Sequence, residues 1–183
     1  MKDHHEPRTT VQEHDTQHDT PGQDTLLALY LNDHLAGATA GLALCRHLAE
    51  TERCAGPGDW QTLDQLAEDL VQDRCALLDI MSEFSVPVRH YKIGAGWLGE
   101  KLARLMPHGS PLGRTRLNTL VELETLRLGV EGKACLWRSL AALPGIDESL
   151  ARRLRDLLER ARTQGTDLED LRTRAAQATF TPR

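Results

Sequence analysis

Three polar residues interrupt the first apolar stretch of this chain, Leu31-Asn32-Asp33-His34-Leu35-Ala36-Gly37-Ala38-Thr39-Ala40-Gly41, and they are its best candidates for chemistry. At helical spacing His34 shares a stripe with Leu27, Tyr30, Ala38, Gly41 and Cys45, so a titratable imidazole faces other helices rather than water. A polar group placed there needs a partner. Further acids fall among later apolar patterns. Asp73 fills the missing step of Leu63, Leu66, Leu70, Leu77, Ile80 and Phe84, with Asp69 one turn before it. Glu124 falls on the stripe Leu117, Val121, Leu128, and Glu100 falls between Trp97 and Arg104. If Asp33, His34, Asp73 and Glu124 converge inside a bundle they form a site for iron or manganese, because such ions take carboxylate oxygens and accept an imidazole. The same residues also suit an internal network of hydrogen bonds and salt bridges, with Arg74, Lys101, Arg104, Arg127 and Lys133 close in sequence. The helices carry no Glu-x-x-His, the pair that carboxylate-bridged di-iron bundles supply twice, and this favours the network, with no cofactor.

Other chemistry finds less support. Cys45 lies on the His34 stripe but three turns away, too far for direct proton exchange, and no serine sits in a Gly-x-Ser-x-Gly elbow. The string Gly94-x-Gly96-x-x-Gly99 lacks the buried strand and βαβ unit that a dinucleotide site needs; His90-Tyr91-Lys92-Ile93 is too polar for that strand. His47, His90 and His108 fall near helix ends or in loops. The reading is therefore of a protein that binds or self-associates rather than an enzyme.

The four cysteines, Cys45, Cys54, Cys75 and Cys135, form no Cys-x-x-Cys pair, so free thiols in a reducing cytoplasm are expected. With 22 basic and 27 acidic residues the net charge is −5, which leaves no basic field for nucleic acid or acidic membranes. The longest uncharged run, Leu35 to Cys45, is too short to cross a bilayer. Few aromatic residues leave the core to Leu, Ala and Val, as in a helical bundle.

Residues 1–24, with His4, His5, His14 and His18 among polar neighbours, have no apolar anchor and read as a disordered tail. Residues 25–178 read as one helical domain and 179–183 as a short tail. Helices are expected from about Asp24 to Glu52, from after Asp59 up to Pro87, over Ala95 to Met106, from Arg116 to Leu143, and from Asp147 to Ala178 with a break at Gly165. Gly37 and Gly41, and Gly129 and Gly132, are costly in helix interiors at about 1 kcal/mol each. Close contact between the two glycine faces is the expected compensation, so that a leucine at Gly41 or Gly129 would overpack.

The pieces Tyr30 to Gly41, Val121-Glu122-Leu123-Glu124, and Leu128 to Lys133 leading to Trp137 resemble a family of bacterial helical proteins related to the ferritin-like superfamily. Asp69-Leu70 with Asp73-Arg74, and Trp97 with Glu100-Lys101 and Arg104-Leu105, carry the same likeness, which covers about Thr25 to Ala178. It implies a ferritin-like four-helix bundle and brings no activity with it. The expected architecture is that all-α bundle with an additional C-terminal helical segment, and its partner is a second copy or another protein.

Overall fold

The computed structural model describes residues 22–55, 58–89 and 116–181 of the chain. These form four helices and no strand: α1 (Gln23–Ala55), α2 (Trp60–Glu83), α3 (Arg116–Ala141) and α4 (Glu148–Phe180). No helix among them is long and apolar enough to cross a membrane. The histidine-bearing tail up to residue 21, the glycine string, the expected helix over Ala95 to Met106 with Glu100, and His90 and His108 lie outside the described residues.

Local chemistry explains where the helices stop. Beyond α2, the Ser85 amide donates to Ser82 and the Val86 amide to Met81, the paired bonds of a Schellman cap. Such a cap needs one left-handed residue, and Ser85 takes that role at φ 54°. Val86 is buried just after it, so an apolar contact holds the turn. At the start of α4 the Asp147 carboxylate accepts from the Leu150 amide at 2.7 Å, an N-cap ahead of Glu148. Gly145, at φ 80°, supplies the left-handed step between α3 and α4.

The helices form two antiparallel hairpins. Arg53 at the end of α1 pairs with Asp64 early in α2, and Arg74 Nε reaches Thr39 at 3.1 Å farther along. Arg127 meets Glu169 at 2.8 Å, and Arg116 reaches the Ala178 carbonyl at 2.7 Å, which sets α4 against α3. Tyr30 with Ser139 and Glu52 with Thr119 run α1 antiparallel to α3; Glu83 with Arg153 and Asp59 with Arg174 do the same for α2 and α4. The order is therefore up, down, down, up. Residue 89 and residue 116 stand at opposite ends of the bundle.

The C-terminal segment is a full member of this bundle. Leu150, Leu154, Leu157, Ala161, Gln164, Leu168 and Leu171 are buried at alternating steps of four and three, the stripe of a helix packed lengthwise. It runs unbroken through Gly165. Burial of Gln164 and Leu168 on either side outweighs a glycine cost of about 1 kcal/mol, and the expected break does not occur. What reads in sequence as an addition to the bundle is its fourth described helix.

Asn32, one residue before the Asp33-His34 pair, ties the chain beyond α2 to α1. Its amide nitrogen donates to the carbonyls of Ala28 (2.8 Å) and Pro87 (3.2 Å), while its oxygen accepts from the Arg89 amide at 2.7 Å. All of this happens at a buried position. Asn32→Ala is expected to lower stability by about 1–3 kcal/mol, since two backbone groups lose their partner. Urea unfolding measures it, and a loss under about 0.5 kcal/mol would show that the clamp is dispensable.

Candidate functional site

Asp73 carries the most heavily buried charge among the described residues, at 2% exposure in the middle of α2. It is satisfied from two other helices. Lys133 of α3 pairs with Asp73 Oδ2, and Gln164 Nε2 of α4 donates to the same oxygen at 3.0 Å. Arg160 Nε, one turn before Gln164, donates to Oδ1 at 2.7 Å. Lys133 also donates to Gln164 Oε1 at 2.5 Å, so the four side chains close on one another. Burial pushes the Lys133 ammonium below its usual value, with the Asp73 charge opposing that fall. The missing step in the α2 stripe thus reports a real buried carboxylate. Arg160 and Gln164 escape sequence reasoning, although Gln164 offers the same kind of signal as a polar residue on the α4 stripe between Ala161 and Leu168.

Of the other candidates, none joins this cluster. Glu124 is exposed, 3.9 Å from Arg172 across α3 and α4. Its stripe is the outward one: Leu117 and Leu128 are exposed, while Leu120, Leu123, Val130, Ala134 and Trp137 form the buried face. Asp33 is exposed and His34 half-buried, the imidazole meeting the Tyr30 ring edge-on at 4.6 Å between centroids. Among the described residues, no group of three or more His, Cys, Asp or Glu is placed to hold a metal ion. The four cysteines are free; burial pushes the Cys45 thiol up to about 12, and it donates to the Leu63 carbonyl at 3.3 Å. A thiol so placed stays protonated and is a poor nucleophile.

The glycine faces do not touch. Among the described residues, a Cβ built on Gly37, Gly41, Gly129 or Gly132 meets nothing within 4 Å, which overturns the expectation of close contact. The Tyr30 hydroxyl donates to Ser139 and the Thr119 hydroxyl to Glu52, toward the two ends of α1 and α3. Between them the missing side chains leave a cavity of about 600 Å³. Tyr30, Asp33, His34 and all four glycines line it, with leucines from α1, α2 and α3. The Asp73 and Lys133 side chains also border it, so the polar cluster and the cavity share a wall. Leu128, 72% exposed, stands at its rim. Trp137 lies against it at 1% exposure, and its Nε1–H has no acceptor among the described residues.

Two outcomes follow. Asp73→Asn is expected to destabilise the fold by about 3 kcal/mol, because Lys133 and Arg160 lose their counter-charge. Thermal melts with and without Fe(II) or Mn(II) check it, and a gain on adding metal that the variant loses would support the metal reading instead. Burial is the larger influence on His34 and holds its pKa below 6.5, with Asp33 opposing. The unfolded chain therefore binds the proton first, and stability falls as pH drops below about 6.5 until the folded-state pKa is passed. His34→Gln should flatten that part of a plot of melting temperature against pH; an unchanged slope would place the titration elsewhere.

No family model matches this chain, and no curated protein or solved structure matches it.

Proposed function

We propose that this chain is a ferritin-like helical bundle that acts by binding a small, largely apolar molecule between α1 and α3, and that it is not an enzyme. The observation that carries this reading is the cavity of about 600 Å³ lined by two glycine faces. That volume lies within the range of small-molecule sites, and so does the lining, mostly apolar with a few polar groups. Two antiparallel hairpins, with residues 89 and 116 at opposite ends of the bundle, are the arrangement that supports the ferritin-like reading. Four free cysteines accord with a reducing cytoplasm as its location.

The polar groups fit binding better than turnover. Asp73 is committed to Lys133, Arg160 and Gln164, and the Cys45 thiol is held protonated. In this reading the cluster is structural: it fixes three helices around a space that the fourth helps to enclose.

Filling the space separates this reading from simple loose packing. Titration with the neutral fluorophore N-phenyl-1-naphthylamine should give saturable binding, and Gly37→Leu and Gly129→Leu should each weaken it by about tenfold or more, or about 1.4 kcal/mol. Neither variant should melt below the parent, because an open position receives an apolar side chain and a helix-interior glycine is removed. Probe binding that is absent, or untouched by both leucines, would overturn the assignment.

A further inference from the structure

The mouth of the cavity carries hydrogen-bond acceptors without donors. Asp33 and His34 both line it, with Tyr30 one turn before them on α1 and Gly37 one turn after. Among the described residues, no hydrogen bond or ion pair reaches the Asp33 carboxylate, and the His34 ring meets Tyr30 edge-on with no hydrogen bond to its nitrogens. An ionised carboxylate accepts and never donates, and a neutral imidazole keeps one accepting nitrogen. Burial holds the His34 pKa below 6.5, so that nitrogen is free of its proton at neutral pH. Gly37 puts no side chain beside them: among the described residues a Cβ there meets nothing within 4 Å, which leaves room for a head group next to Asp33. The group that completes this end of the cavity is a donor.

Charge narrows the choice of donor. In the buried cluster the charges cancel: Asp73 and Asp69 both act on Lys133, and Asp73 also pairs with Arg160, so two carboxylates face two cations. Of the ionised groups on the cavity lining, Asp73 and Lys133 are therefore paired, and Asp33 is the charge left over. It stands exposed where the apolar wall meets water. An ammonium at that edge keeps part of its hydration, so it gains a charge-assisted hydrogen bond without the full cost of burying a cation among leucines. The Tyr30 ring, tethered through its hydroxyl to Ser139 at 3.2 Å, gives the same end an aromatic wall, which also favours a cation. Resting on the binding role given above, we propose that the ligand is an apolar primary amine, its alkyl tail among Leu44, Leu66, Leu126 and Leu136 and its ammonium donating to Asp33 and His34 at the cavity mouth.

The test compares decylamine with decan-1-ol, which share a tail and differ in the head. At about pH 8 the amine is charged and the imidazole of the folded chain is neutral. The full chain is titrated with each compound while the imidazole Cε1–H resonances are followed, that of His34 being assigned by its loss in His34→Gln. Decylamine should bind about threefold to fivefold more tightly than the alcohol at low salt, the scale of an exposed ion pair, and should move the His34 resonance. Raising NaCl to about 0.5 M should shrink that preference. In Asp33→Asn, an exposed position where the substitution keeps the fold, the preference should disappear. The chain carries a net charge of −5 and attracts any cation weakly, so a preference that survives in Asp33→Asn would overturn the proposal. Equal affinities in the parent, or a His34 resonance that decylamine leaves in place, would do the same, while binding of the neutral fluorophore keeps the cavity assignment intact. If neither the fluorophore nor either C10 compound binds, the cavity assignment itself falls and this inference with it.

Discussion

One buried carboxylate organises this bundle. Asp73 stands inside α2, where an ionised group is stable only if cations and donors come to it. They come from two helices: Lys133 from α3, Arg160 and Gln164 from α4. Apolar side chains can slide by a turn and still find apolar neighbours, but a carboxylate with four specific contacts has one register. The cluster thereby links α2 to both helices of the second hairpin, at a point where leucines alone leave the alignment loose.

The remaining helix is held differently. Asn32 fastens α1 to the chain beyond α2, and Arg74 and Arg53 tie it to α2 along its length. Toward α3, Tyr30 meets Ser139 and Glu52 meets Thr119 near the ends, with glycines between them. Helices approach until side chains or backbones meet, and here contacts elsewhere stop the approach before the glycine faces close. The space that results is bordered by the Asp73 and Lys133 pair, so the interaction that sets the register also places polar groups on the wall of the cavity. Trp137, one turn from Lys133, shares that wall. The buried cluster and the cavity lining thus draw on the same few residues of α3.

Much of this was legible in the residues themselves. Alternating three- and four-residue apolar steps set out α2 and α4, Asp147 marked the start of α4, and an acid in the gap of the α2 stripe announced a buried charge. Those signals are local, since helical periodicity and capping depend on neighbours within a turn or two. Composition likewise pointed to an all-helical chain, and the four helices of the described residues agree with it.

Which stripe faces inward, and which faces touch, depended on the other helices. Two stripes compete on α3; the one through Glu124 turns to water because the one through Leu123, Val130 and Trp137 meets α1 and α4. Gly165 fails to break α4 because burial on both sides holds the turn. The glycines of α1 and α3 announced in sequence only that something offsets their cost. Whether that is close contact or an opening depends on how far apart other contacts hold the two axes, a distance no residue on either helix encodes by itself. The sequence by itself determined the helices and the need for a partner at Asp73; tertiary packing decided which partners answered and left the cavity beside them, because both depend on contacts between residues distant in the chain.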